Sequence, residues 1–175
     1  YNDYLESNAI AARALIENPG TRLRDATLAR LLVPRARAER PDDFVSRTFA
    51  GIYYTDAENE WLDLTRARIA TINDAFERAL AWRALFQACL VKRPYNLFHR
   101  RNLNLREASV ERSFGNKTTW DTPFEKHFAR FAAEGNASVF SNGRRNRVTC
   151  ADAADLEARA ELVYFDPPYT SSMGV

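Results

Sequence analysis

From Thr55 to Pro94 the chain carries one long helical pattern, in which Trp61, Leu64, Ile69, Ile72, Phe76, Leu80 and Leu85 recur along a common stripe. Thr55 and Glu58 form the capping box that opens it, and Pro94 closes it. A stripe of this kind is the buried face of a helix, and it commits the middle of the chain to a helical body. The flanks extend that body. "DYLESNAIAARALIEN" places Leu5, Ala9 or Ile10, Ala12, Leu15 and Ile16 at helical spacing and is stopped by Pro19 and Gly20. A second helix is expected from Thr21 to about Val33, ended by Pro34, and a further one in "PFEKHFARFAAE", opened by Pro123 and closed by Gly135. "PRARAERPDD" reads as an exposed connection, "TFAGIYYT" is ambiguous, and Tyr95 to Thr122 reads as loops with room for a hairpin.

Strand-like runs gather at the end of the chain: "ASVF", "NRVTC" and "ELVYF", with "DAADLEARA" a short helix before the last. These are too few for a stable doubly wound sheet. The expected architecture is α/β, with a long, mostly helical insertion interrupting a partial parallel sheet.

Composition narrows the class of partner. The chain is 46% hydrophobic and 27% charged, as in ordinary globular proteins. No apolar run is long enough to span a bilayer, the opening residues do not read as a signal peptide, and no membrane partner is expected. Cys89 and Cys150 lie far apart without metal-ligand spacing and are read as reduced thiols; with only His99 and His127 besides, no metal is expected. The net charge of +2 is unevenly spread. Residues 91–130 hold nine basic against four acidic side chains, a local balance of +5 that leaves −3 elsewhere. Such a segment suits a polyanion on one face.

The most specific motif is "ELVYFDPPY". Leu162 to Phe165 form a short apolar run suited to a strand buried on both faces. Pro167 and Pro168 cannot continue it, so Asp166 falls where the strand ends, at the edge where open α/β sheets bind ligands. An exocyclic amine on a nucleobase is a poor nucleophile, because its lone pair is delocalised into the ring. Two hydrogen-bond acceptors help to localise that pair, and Asp166 with the Pro167 carbonyl supplies two. Tyr169 offers an aromatic face for a base drawn out of its helix. Read without context, the same residues are simply a turn.

"VYFDPPYTSSMGV" resembles the catalytic motif of the Dam-like, alpha-group DNA adenine-N6 methyltransferases, and other stretches follow in that family's order. "NDYLESN" is similar to its acidic motif, "RVTCADAADL" to its cofactor-adenine segment, and "KRPYNLFHRRNL" with "RSFGNKTTWDTPFEKHF" to its target-recognition region. The resemblance implies a partial Rossmann-like core that uses S-adenosyl-L-methionine. Residues 1–20 and 136–175 would form that core, and 21–135 the helical recognition insertion. It assigns catalysis to Asp166, Pro167, Pro168 and Tyr169, and cofactor contacts to Asp3, Asp152 and Asp166. Arg93 and Asn96 become candidates for base contacts, and Arg100, Arg101 and Lys117 for other DNA contacts. Double-stranded DNA is the implied partner, a cognate restriction endonuclease a candidate one, and the cytoplasm the implied location.

Two departures accompany this resemblance. The family's Gly-rich cofactor loop would precede Asp3, and "FAGIY" at Phe49 to Tyr53 is not that loop, having one glycine and the wrong place in the order. Further strands would follow Val175. The chain is therefore expected to be an internal stretch of a larger enzyme, inactive by itself. Alone, Asp3 and Asp152 also suit helix N-caps. The rival readings are methyl transfer to cytosine-N4 or to RNA, and a DNA-binding module without catalysis. The long insertion before "DPPY" argues against an RNA enzyme, since RNA methyltransferases with similar motifs commonly place them closer together.

Overall fold

The computed structural model describes residues 1–36, 39, 41–93, 101, 103–108, 117–157 and 160–166. Its order is β1 (Asn2–Asp3), α1 (Glu6–Ala12) continuing into a π-helical turn (Arg13–Glu17), α2 (Asp25–Leu32), α3 (Phe44–Thr48), α4 (Asp56–Ala70) and α5 (Ala75–Val91). Then come α6 (Leu103–Glu107), α7 (Lys117–Asp121), α8 (Phe124–Ser138), β2 (Thr149–Cys150) and a 3-10 turn (Ala153–Asp155).

The long helical pattern is two helices rather than one. The Thr55–Glu58 capping box opens α4 as expected, with reciprocal bonds of 3.3 and 3.0 Å. The chain then breaks after Ala70 and restarts at Asp74, whose carboxylate accepts the N–H groups of Phe76 and Glu77. An aspartate satisfying two first-turn donors is the stronger signal, and it overrides a stripe that runs through the break.

Helix α5 is the hub. Ala79, Leu80, Ala81, Ala84, Leu85 and Ala88 are buried on more than one of its faces, against α1, the π turn, α4 and α8. Its alanines let neighbours approach closely. Phe124, Phe128 and Phe131 fill the space on the α8 side, where Phe124 stacks on Trp61 at 5.3 Å and meets Tyr54 edge-on at 5.1 Å. Gly135 does not close α8, which runs on to Ser138; it lies where α8 meets α5, and a Cβ there would come within 3.3 Å of Leu80.

Strands β1 and β2 pair in parallel, Asn2 opposite Thr149 and Asp3 opposite Cys150. Parallel neighbours need a crossover connection; here the helical body supplies it. Val148, just before β2, packs on Ala9 and Ala12 of α1 and seats the sheet on that helix. Asn2 ties the strands further, its amide donating to Ala151 O at 2.9 Å and accepting from the Thr149 hydroxyl at 2.8 Å.

Three sequence expectations fail. "ASVF" belongs to the end of α8 and the turn beyond it, and "DAADLEARA" yields only the 3-10 turn among its described residues. "ELVYF" is not a strand: Leu162, Tyr164 and Phe165 are 87%, 85% and 73% exposed. A strand takes its ladder from a neighbour, and among the described residues β1 and β2 pair only with each other. No helix among the described residues is long and apolar enough to cross a membrane.

Candidate functional site

The parallel pair brings two acids from opposite ends of the sequence to one edge. Asp3 is the last residue of β1, and Asp152 lies two residues beyond the end of β2. Both are therefore at the carboxyl edge, where parallel sheets leave room for ligands. Asp3 Oδ1 accepts the Leu5 N–H at 2.8 Å, while Oδ2 accepts from the Tyr1 hydroxyl at 2.8 Å and from the Asn8 amide at 3.1 Å. These bonds, the Leu5 N–H first, hold its carboxyl below the ordinary aspartate range. Asp3 thus stays ionised and oriented, a turn residue ahead of α1 rather than its N-cap, which is Leu5. Asp152 does cap the 3-10 turn, accepting Ala154 N–H at 2.9 Å, and it is exposed. Exposed Tyr4 adds an aromatic ring immediately after Asp3. The donor chemistry suits a nucleoside, with Asp3 free to accept from a pair of hydroxyls as Tyr1 swings away, and Asp152 from an amine.

Asp166 is exposed at the end of the described stretch 160–166. Pro167, Pro168 and Tyr169 lie outside the described residues, as do Asn96 and Arg100. Arg101 is exposed, and Lys117 opens α7, its side chain outside the description. Arg93 differs from its expected role. It is 2% exposed, and burial lowers its pKa, so in this structure it is not on a surface a duplex can reach.

Lys92 and Arg106 are buried too, and they reveal what the sequence did not. Both converge on Glu58. Arg106 spans the carboxylate with bonds of 2.6 and 2.7 Å, and Lys92 Nζ approaches Oε1 at 2.6 Å. Lys92 also donates to the carbonyls of Trp120 and Thr122 at 2.8 and 2.7 Å, and Arg106 to that of Trp120 at 3.2 Å. The Lys92 ammonium lies over the Phe124 ring at 5.0 Å. Burial alone would raise the Glu58 carboxyl; bonds from Arg106, Lys92 and the Thr55 N–H outweigh it and hold it at about 2. Part of the basic character of residues 91–130 is therefore spent inside the protein. Glu58 was legible only as a capping residue, because nothing local links it to cations 34 and 48 positions away.

His127 is buried, its Nε2 within 2.8 Å of Thr119 O, and burial lowers its pKa. It serves the α7–α8 junction. Among the described residues, no group of three or more His, Cys, Asp and Glu is placed to hold a metal ion. A concavity of about 480 Å³ lined by Gly51, Thr55, Asp56, Leu103, Asn104 and Glu107 opens near the Glu58 cluster, and none of these residues belongs to the strand edge.

The chain is similar to the Type II methyltransferase M2.HphI of Haemophilus parahaemolyticus, with 28% identity over 137 residues. The match covers 74% of this chain and 41% of that protein, so the chain spans less than half the length of its relative. No protein-family model matches the chain, and no solved structure does.

Proposed function

We propose that the chain forms part of an S-adenosyl-L-methionine-dependent DNA methyltransferase that modifies the N6 amine of adenine. The observation that carries this reading is the pair of acids, Asp3 and Asp152, at the carboxyl ends of adjacent parallel strands. The similarity to a methyltransferase over most of the chain supports it independently.

In this reading Asp3 accepts hydrogen bonds from the cofactor's ribose hydroxyls, and Asp152 contacts its adenine side. The cofactor supplies the methyl group. Asp166 and the Pro167 carbonyl accept the protons of the target amine and leave its lone pair directed at that methyl. Tyr169 stacks on the extruded base, with Pro168 fixing the turn between them. Residues 21–135 carry the recognition region, whose DNA contacts fall to Asn96, Arg100, Arg101 and Lys117, and to Arg93 only if it leaves the interior. Residues 1–20 and 136–175 belong to the catalytic core.

The test is transfer of labelled methyl from S-adenosyl-L-methionine to unmethylated phage DNA by the protein at its full natural length. Asp166→Ala runs beside it, and the DNA is digested to bases. Label in N6-methyladenine, reduced at least about a hundredfold in the variant, is the expected result. Label in cytosine would assign the cytosine-N4 reaction. DNA binding without label would leave a recognition module without catalysis.

A further inference from the structure

The Glu58 cluster does more than fill a gap between helices. Lys92 stands just before the stretch 93–102, Arg106 lies in α6 between that stretch and 107–117, and Trp120 and Thr122 follow the second. The start, middle and end of the basic segment are therefore fastened to one carboxylate on the first turn of α4. Tyr53, ahead of α4, joins through its carbonyl to Arg106 at 3.3 Å. Phe124, which opens α8, joins through its ring beneath Lys92. Five elements meet at one point that is almost closed to water, with Lys92 1% and Arg106 8% exposed.

A hydrophobic plug of equal volume would hold these helices together about as well, because desolvation offsets most of the gain from a buried ion pair. What a three-ion knot adds is direction: a fork on a carboxylate and an ammonium between two carbonyls each fit one geometry. We propose that Glu58, Lys92 and Arg106 are positioning residues for sequence discrimination, fixing the relative placement of the two stretches that begin and end at them. This rests on the reading of the basic segment as the part that meets DNA. Phosphate attraction tolerates displacement of its cations, whereas base readout does not.

The experiment separates those two. Protein at full natural length is mixed with duplexes carrying a randomised core, and bound duplexes are recovered, quantified and sequenced. Glu58→Gln and Arg106→Lys are compared with the wild type well below each variant's melting temperature. Arg106→Lys keeps the charge and removes the fork, so it remains informative if Glu58→Gln does not fold. Enrichment of the wild-type consensus is expected to fall about tenfold, the order of one lost base contact. Total recovery should stay within about threefold, because phosphate contacts persist. Undiminished enrichment in a folded variant overturns the proposal, and so does a parallel fall in enrichment and total recovery, which marks a structural role. A wild type that recovers no duplex would instead remove the DNA reading on which the proposal stands.

Discussion

Glu58 is at once a helix cap, the acceptor of a guanidinium fork and the counter-ion of a buried ammonium. Its carboxyl lies at about 2 in the folded protein against 4.5 unperturbed. A depressed carboxyl contributes stability that is complete above its unfolded pKa and lost as the pH falls through its folded one. The shift corresponds to roughly 3 kcal/mol. Stability measured by urea titration should therefore be flat from neutrality to about pH 5 and fall between pH 4.5 and 2. Glu39, lowered to about 2 chiefly by its bond from Arg68, titrates in the same window. Glu58→Gln isolates the cluster's share: its deficit should be largest at neutral pH and shrink towards pH 2 as the wild-type carboxyl loses its charge. A deficit independent of pH would mean that the carboxylate's charge is not what holds Lys92 and Arg106. Of this residue only the cap could be read in advance, because a capping box spans four consecutive positions, while the ion pairs depend on how three helices close.

At the scale of elements, local chemistry was legible and docking was not. The alternation that signals α8 comes from Phe124, Phe128 and Phe131, and it appears in the structure as expected. Gly135 was read as a stop, since glycine commonly follows the last helical residue. Its actual position is set by α5, because a side chain there would collide with Leu80 and Arg83. Gly135→Ala should be close to neutral, its gain in helix propensity of about 1 kcal/mol set against a contact of 3.3 Å. Gly135→Leu should cost about 1–3 kcal/mol, because it drives a branched side chain into a packed interface. Chemical denaturation checks both, and a Leu variant as stable as the wild type would contradict the close α5–α8 approach. The run Leu162–Phe165 teaches the converse. Its composition suits a buried strand, but a strand exists only when a neighbour offers donors and acceptors, and that depends on residues remote in sequence.

For the molecule as a whole, the main consequence of the fold is that a helical crossover returns β2 to β1 and sets Asp152 beside the strand that ends in Asp3. The sequence suggested each acid separately, and each also suited a helix cap; only the parallel register puts them at one edge. If that edge holds the cofactor, Asp3→Asn is the sharpest probe of it. The asparagine keeps an oxygen to accept the Leu5 N–H, so the turn into α1 survives. It replaces Oδ2 by a donor, which can accept neither from the Asn8 amide nor from a cofactor hydroxyl. Loss of one charge-assisted bond should weaken S-adenosyl-L-methionine binding about tenfold or more, measured by calorimetry on the protein at full natural length, with the melting temperature little changed. Unchanged affinity in a folded Asp3→Asn protein would reduce Asp3 to a turn residue and deprive the carboxyl edge of its role. An equal loss in Asp152→Asn would show that both strand ends serve one ligand, the arrangement that makes a crossover of this length worth its ordering cost.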